Sequence, residues 1–298
     1  MTKMKVLAAV VTYNRLELLK RCIDHLKKQT YLPDIVIINN SSTDGTEAFL
    51  QEAGINYITQ ENLGSSGGWH RAIAEALEKN YDYIWLMDDD GFPDSNALQI
   101  LLNTINNDIA CVSSVVVKEN NPEEFVFGFP KLNKKGNPAL LRFKRKYYKL
   151  SDLLPKGNTY PFAHFFNGAL INIKHIKRIG NVNTDYFIYG DEVDYYCRLR
   201  KTGKILTSFD AKHNHPDVSK RNIDDKRVYY FIRNSIIIHN KYFDNSSLRN
   251  FLVVIATLVR IFRRNGAFKS LSYLFGNKKK YFYPAIKDGF LKIMVKRY

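Results

Sequence analysis

Tyr83-Ile84-Trp85-Leu86-Met87-Asp88-Asp89-Asp90-Gly91 decides the reading of this chain. The apolar residues from Tyr83 to Met87 predict a buried strand. Three consecutive carboxylates follow, and Gly91 and Pro93 then break the strand. In parallel α/β sheets, ligands bind just past the carboxyl ends of the strands. Packed carboxylates repel one another and resist burial unless a cation neutralises them. A hard divalent ion with oxygen ligands suits such a cluster, and Mg²⁺ or Mn²⁺ usually also takes substrate phosphates. Asp and Gly are ordinary turn residues too, so the triplet alone leaves a plain polar turn open.

The flanking sequence alternates between strand-like and helix-like patterns. Strands are expected at Lys5 to Val11, Asp34 to Ile38, Asn56 to Thr59 and Ala110 to Val117. Between them, Leu16, Leu19, Ile23 and Leu26 share a face and predict a helix from Leu16 to Lys28. Further helices are expected at Thr46 to Glu52, Gly68 to Asn80 and Ser95 to Asn107. This βαβα order predicts a mostly parallel sheet with helices on both faces. From Lys118 to about Lys156, Pro122, Pro130, Gly136, Pro138, Pro155 and many lysines predict long loops with a hairpin at most. Regularity returns at Phe165 to Ile173 and in a helix from Val193 to Lys201.

The chain has 298 residues, enough for a large α/β domain with an appendage. Its 45% apolar and 13% aromatic content excludes a disordered chain. Cys22, Cys111 and Cys197 show no metal-type spacing and fit a reducing compartment. The start of the chain lacks the pattern of a secretory signal peptide. No apolar run approaches the roughly 18 residues that span a bilayer. The net charge of +16 favours anionic partners. Residues 245–298 hold twelve Lys or Arg and a single acid, Asp288. A boundary near residue 244 is therefore expected, with a domain at 1–244 and a basic helical segment at 245–298. In that segment Phe251 to Val259 is apolar and is followed by Arg260, Arg263 and Arg264. Phe268, Leu271, Leu274 and Phe275 recur at helical spacing, and Lys278 to Lys280 follow. Basic amphipathic helices of this kind lie in the membrane interface, although packing on the core or on a second subunit would also use them.

Each strand end of the first half leads into a polar loop. The loops are Thr12-Tyr13-Asn14-Arg15, then Asn39-Asn40-Ser41-Ser42-Thr43-Asp44-Gly45-Thr46, then Asn62-Leu63-Gly64-Ser65-Ser66-Gly67-Gly68-Trp69-His70-Arg71, and the triple aspartate. Small residues from Gly64 to Gly68 let backbone N–H groups approach an anion at a helix start. The glycines lack the Gly-Lys-Ser/Thr of a P-loop and the spacing of a dinucleotide fingerprint.

Together these four loops resemble the family 2 glycosyltransferases of GT-A fold, in that family's order, and the resemblance covers roughly residues 4–240. It implies that the first two loops hold the nucleobase and ribose of a sugar nucleotide. The donor-binding residues would be Thr12, Tyr13, Asn14, Arg15, Asn40, Asp44, Asn62, Gly64, Gly67, Gly68, Trp69 and Arg71, with Asp88 and Asp89. Asp88 and Asp90 would hold Mn²⁺ or Mg²⁺. The second loop begins Asn39-Asn40 where the family has an aspartate, and an amide both donates and accepts toward a uracil or thymine ring.

Asp191-Glu192-Val193-Asp194 opens a helix, where carboxylates also favour the dipole. In the family resembled, the second acid at this point is the general base. That implies Glu192, with Asp191 as helix cap beside it and Asp194 on the acceptor side. His213 and His215 alternate, so they share a side if the segment is extended. A histidine can complete a carboxylate metal site. His215 is the first choice as ligand and His213 the second. Phe166, Asn167 and Gly168 resemble the acceptor-side loop, and Arg233, read at a helix start, could reach a phosphate.

The glycine loop with the triple aspartate is most similar to the galactofuranosyltransferase branch of the family, and the rhamnosyltransferase branch is close. The implied activity is that of an inverting, metal-dependent hexosyltransferase. It would use UDP-galactofuranose, or dTDP-rhamnose in the alternative, and act on a glycan or lipid-linked glycan. The expected place is the cytoplasm, on the inner face of a bacterial membrane with anionic lipid as partner; a homo-oligomer is left open. A nucleic-acid-binding protein is the non-enzyme rival. It would need basic residues spread over an aromatic groove, whereas much of the excess charge sits in the last ~54 residues, so no nucleic-acid partner is expected.

Overall fold

The computed structural model describes residues 4–140, 144–219 and 224–298. The chain forms two compact units, Met1–Val182 with Tyr195–Asp217, and Asn183–Asp194 with Val218–Tyr298. The helical unit thus begins well ahead of residue 244.

The first unit is built on strands β1 (Val6–Thr12), β2 (Asp34–Asn39), β3 (Tyr57–Thr59), β4 (Tyr83–Asp88), β5 (Phe92–Pro93), β6 (Ile109–Lys118), β7 (Asn121–Pro130), β8 (Lys146–Lys149), β9 (Thr159–Tyr160), β10 (Asn167–Asn172) and β11 (Lys204–His215). Between them lie helices α1 (Leu16–Lys27), α2 (Thr46–Glu52), α3 (Gly64–Glu78), α4 (Ala97–Thr104) and α5 (Ile173–Ile179), and α6 (Asp191–Leu199) has its first turn in the second unit. The central order is β3-β2-β1-β4-β10-β6-β11-β5. β1 runs parallel to β2 and β4, and β6 runs parallel to β11. β10 is antiparallel to both its neighbours.

Every residue of β1 is buried, as expected for a parallel strand covered on both faces. Val6, Ala8 and Val10 join the α1 stripe of Leu19, Cys22, Ile23 and Leu26 in one core cluster. The opposite face, carrying Val11, receives α3. A Cβ on Gly68 would lie 2.5 Å from Val11 Cγ1, so glycine at this position lets the helix seat against the strand. The expected start of this helix at Gly68 is four residues late: α3 begins at Gly64, and the small residues form its first turns.

The stretch 118–156 is more regular than its prolines predict; residues 141–143 within it lie outside the described residues. β7 pairs with β6 and β8, and Pro122 and Pro130 sit near its ends, where a missing donor costs the ladder least. Phe125 and Phe129, spaced for one face of a strand, pack with Val115, Val117, Leu150, Leu153 and Phe209.

The second unit holds α7 (Asp225–Tyr242), α8 (Ser246–Asn265), α9 (Ala267–Leu274) and α10 (Lys279–Leu291). Its core joins Val228, Tyr229, Ile232 and Ile236 of α7 to Ile261, Tyr273, Phe282 and Ala285. The lone acid of the basic segment is satisfied inside it: Asp288 accepts from Tyr229 Oη at 2.6 Å and from Arg297 Nε at 2.6 Å. Among the described residues no helix is long and apolar enough to cross a membrane.

Candidate active site

β4 delivers the aspartates to the carboxyl edge of the sheet, beside the loop that leaves β1. Asp89 and Asp90 are both buried. Thr12 Oγ1 donates to Asp89 Oδ2 at 2.7 Å, and Arg15 Nη1 donates to Asp89 Oδ1 at 2.9 Å. The same Arg15 nitrogen lies 3.1 Å from Asp90 Oδ2. One guanidinium therefore bridges two carboxylates that would otherwise repel. Burial raises the Asp89 carboxyl above its ordinary range, and Arg15 and Thr12 pull it back only in part. Burial works against the charge on Arg15, but Asp89 and Asp90 outweigh it and the guanidinium is held more firmly protonated.

The other side of Asp90 faces a histidine: His215 Nε2 lies 3.0 Å from Asp90 Oδ1, both side chains buried. His215 Nδ1 lies 2.7 Å from the Pro216 carbonyl, a partner that can only accept. Nδ1 therefore carries a proton, and in the neutral ring Nε2 presents its lone pair to the carboxylate. A lone pair facing an anion at this distance calls for a cation between them, either a proton or a metal ion. A carboxylate oxygen with an imidazole nitrogen fits Mn²⁺ or Mg²⁺ that takes its remaining ligands from diphosphate and water. Among the described residues no group of three or more His, Cys, Asp or Glu side chains is arranged to hold a metal by itself. Asp88 is partly exposed, and its backbone N–H donates to the Phe166 carbonyl at 3.0 Å.

His213 lies on the same side of β11 but does not meet the carboxylates as His215 does. It is fully buried, neither ring nitrogen has a hydrogen-bond partner, and burial pushes it down to about 3. A Cβ on Gly91 would come 2.2 Å from its Nε2, so the residue after the triplet must be glycine for this ring to fit. Sequence reasoning also missed Arg21, whose Nη2 donates to the Asp90 carbonyl at 3.0 Å while its Nη1 pairs with Glu119 at 2.9 Å. Its place in the α1 repeat carries no signal for that contact.

The first two loops are stitched to each other. Asn14, at φ +53°, accepts from Thr43 N at 2.7 Å and donates its own N–H to Ser42 Oγ at 3.0 Å. Asp44 accepts from Leu16 N at 2.9 Å and Thr46 Oγ1 at 2.6 Å. Burial alone would raise the Asp44 carboxyl, but these hydrogen bonds outweigh it and lower it. Asn40 accepts from Gln60 Nε2 at 2.8 Å and donates to the Gly64 carbonyl at 3.3 Å, so its amide is engaged within the protein at both ends. Asn62 Oδ1 accepts from Gly64 N at 3.0 Å. Tyr13 is exposed. Trp69 is buried and stacked on Phe166 at 4.4 Å between ring centroids, and Arg71 lies 3.8 Å from Glu75 on its own helix. Phe166 and Gly168, at φ +69° and +81°, flank Asn167, where β10 shifts register against β4. The loop read as acceptor-side thus adjoins the aspartates directly.

Asp191, Glu192 and Asp194 belong to the second unit. The helix begins at Asp191 itself and Gly190 precedes it at φ +86°, so the cap position expected for Asp191 falls on Gly190. Asp191 is buried and Glu192 half-buried. Asp194 is buried, and its Oδ1 accepts from Tyr242 Oη at 2.6 Å, Lys241 Nζ at 2.9 Å and Tyr186 Oη at 3.2 Å. The expectation that Arg233 reaches a phosphate is corrected. It lies in the middle of α7, fully buried, and donates to the carbonyls of Asp185 and Tyr186 at 3.1 Å and of Val295 at 2.9 Å. Asn234, unremarked in the sequence, donates to the carbonyls of Tyr186, Ile188 and Tyr189 at 3.0, 2.9 and 2.7 Å, and so holds the loop that leads into α6.

The model of the family described as "Glycosyl transferase family 2" matches residues 8–169. "Galactofuranosyltransferase GlfT1" of Mycobacterium tuberculosis (strain CDC 1551 / Oshkosh) is 33% identical over 225 residues, 71% of this chain and 70% of the relative. Among solved structures, the mannosyltransferase PcManGT from Pyrobaculum calidifontis, in complex with GDP-Man and Mn²⁺, aligns with a TM-score of 0.57 at 14% identity, over 98% of this chain and 89% of its own. GalNAc-T7 with UDP, GalNAc and Mn²⁺ aligns with a TM-score of 0.60 at 13% identity, over 98% of this chain and 57% of its own. At such identities these two structures speak for the fold alone, while the family match and the GlfT1 relative speak for descent and enzymatic class. The chain is a glycosyltransferase, a hexosyltransferase of family 2 with the GT-A fold.

Proposed function

We propose that this enzyme transfers galactofuranose from UDP-galactofuranose to a growing, lipid-linked bacterial glycan, with inversion and with a divalent metal. The pairing of Asp90 with His215 at 3.0 Å, across from the Arg15 bridge, carries this reading. A metal bound there would neutralise the departing diphosphate. Thr12 and Arg15 hold Asp89 and share the charge of the aspartates, so the carboxylates keep one arrangement before donor arrives. Glu192 supplies the base that takes the acceptor hydroxyl proton as the oxygen attacks the sugar, giving a single displacement. The choice of galactofuranose is supported by the name and 33% identity of the GlfT1 relative. Work on the inner membrane face is supported by the basic helices α8 to α10, which offer exposed Phe251, Phe262, Phe268 and Phe275 beside lysines and arginines.

A panel of sugar nucleotides tests the donor, with release of the nucleoside diphosphate read in Mn²⁺ and in chelator. UDP-galactofuranose should give the highest metal-dependent turnover once a lipid-linked acceptor is present. Preference for dTDP-rhamnose, or turnover that chelator leaves intact, would overturn the donor or the metal respectively.

A further inference from the structure

Asp90 follows β4 and His215 ends β11, yet their side chains meet at 3.0 Å. β10 and β6 stand between those strands in the sheet, so no ladder between β4 and β11 sets that spacing. The two-residue strand β5 gives only a short link, Phe92 opposite Asn214 and Pro93 opposite His213. Arg21 of α1 supplies a second. Its Nη2 donates to the main-chain carbonyl of Asp90 at 3.0 Å, and its Nη1 pairs with Glu119 Oε2 at 2.9 Å. Glu119 in turn donates its backbone N–H to the His215 carbonyl at 3.1 Å. The guanidinium carbon also lies 4.5 Å from the ring centre of Phe92. One planar fork therefore ties both residues by their backbones, Asp90 directly and His215 through Glu119. Arg15 contacts carboxylate oxygens of Asp89 and Asp90, whereas this bond of Arg21 goes to the main chain and leaves those oxygens to a cation.

We infer that Arg21 and Glu119 form a positioning pair that sets the spacing of Asp90 and His215 for a divalent cation. The inference rests on the reading of those two residues as metal ligands given above. Charge alone argues the opposite way for Arg21. A guanidinium beside a cation site repels the cation, so its removal would strengthen metal binding. Loss of a positioning residue weakens it.

Mn²⁺ binding to the full chain with UDP present, followed by loss of the free-ion electron paramagnetic resonance signal, tests the pair. Arg21→Gln should bind Mn²⁺ about tenfold or more weakly than wild type, as expected for a group that orients metal ligands. Its UDP affinity in excess chelator should not change. Arg21→Lys keeps the charge but cannot span both partners, and should lose nearly as much. Adding Glu119→Gln to Arg21→Gln should cost little more, because the two residues act as one unit. Arg21 and Glu119 are both partly exposed, and thermal melts check that each variant is folded. Should Arg21→Gln fail to fold, Arg21→Lys carries the test. Mn²⁺ affinity unchanged or raised in Arg21→Gln, full affinity in Arg21→Lys, additive losses in the double variant, or an equal fall of UDP affinity in chelator would each overturn the inference. Failure of the metal reading shows separately, as a wild type that binds UDP equally with and without Mn²⁺.

Discussion

Glu192 is half-buried, whereas Asp191 before it and Asp194 after it are buried and the latter is engaged by two tyrosines and a lysine. Of these three acids it alone is partly exposed, which supports the proposed role as base. Glu192→Gln should lower turnover by about 10² to 10⁴ while donor binding and melting temperature hold. Asp191→Asn should act mainly on stability. Steady-state kinetics and thermal melts on both variants check this; a stable but inactive Asp191→Asn beside a Glu192→Gln of near-normal rate would reverse the roles. At this scale the meeting of Asp90 with His215 is legible in the sequence and the hydrogen-bond partners are not. The aspartate triplet and His215 announce themselves by composition and alternation. That Arg233 spends its donors on backbone carbonyls depends on how α7 is buried within its unit, which no local pattern encodes.

The elements show where periodicity suffices and where it fails. β1, β2, β4 and β6 were evident because apolar runs bounded by turn residues permit few other readings. β7 was hidden because Pro122 and Pro130 read as loop, although Phe125 and Phe129 already alternate at strand spacing. The glycine run, expected as a loop ahead of the helix, is the first stretch of α3, and Gly68 within it is required by close contact with Val11 of β1. Gly68→Ala should therefore destabilise the protein by about 1–3 kcal/mol through overpacking against Val11, measured by chemical denaturation. A neutral effect would show that α3 can shift freely. In the helical unit, Asn234→Ala removes the side-chain donor shared by the Tyr186, Ile188 and Tyr189 carbonyls, of which Tyr186 keeps its contact with Arg233. A cost of about 1–3 kcal/mol is expected, with kcat reduced more than KM for donor because this loop leads directly into Glu192. An Asn234→Ala enzyme with wild-type stability and kcat would remove the loop from the account.

Across the whole molecule, two buried histidines tie stability to pH. Burial pushes His164 and His213 down to about 3 from an ordinary value of 6.5. Their neutral forms belong to the folded state, while the unfolded chain takes up protons below 6.5. Their contribution is therefore complete above that pH and is lost as the pH falls toward 3, by about 1.4 kcal/mol per pH unit for each histidine over that window. His164 lies among Phe127, Phe129 and Phe162, and Lys146 adds a smaller push in the same direction. His164→Phe should lessen the fall in melting temperature between pH 6.5 and 4, leaving the part due to His213. An acid limb identical to wild type would contradict that assignment. The net charge of +16 is legible in the sequence, whereas the joining of Asn183–Asp194 to the basic helices in one compact unit is not.

On the proposed reading, Asp90 and His215 hold the cation that binds the donor diphosphate. Calorimetric titration of UDP into wild type and Asp90→Ala, each with Mn²⁺ and with excess chelator, tests it most directly. Wild type should bind UDP tightly in Mn²⁺ and weakly in chelator, whereas Asp90→Ala should remain folded and bind weakly in both. Tight UDP binding by Asp90→Ala in Mn²⁺, or equal wild-type affinity with and without the metal, would contradict the account.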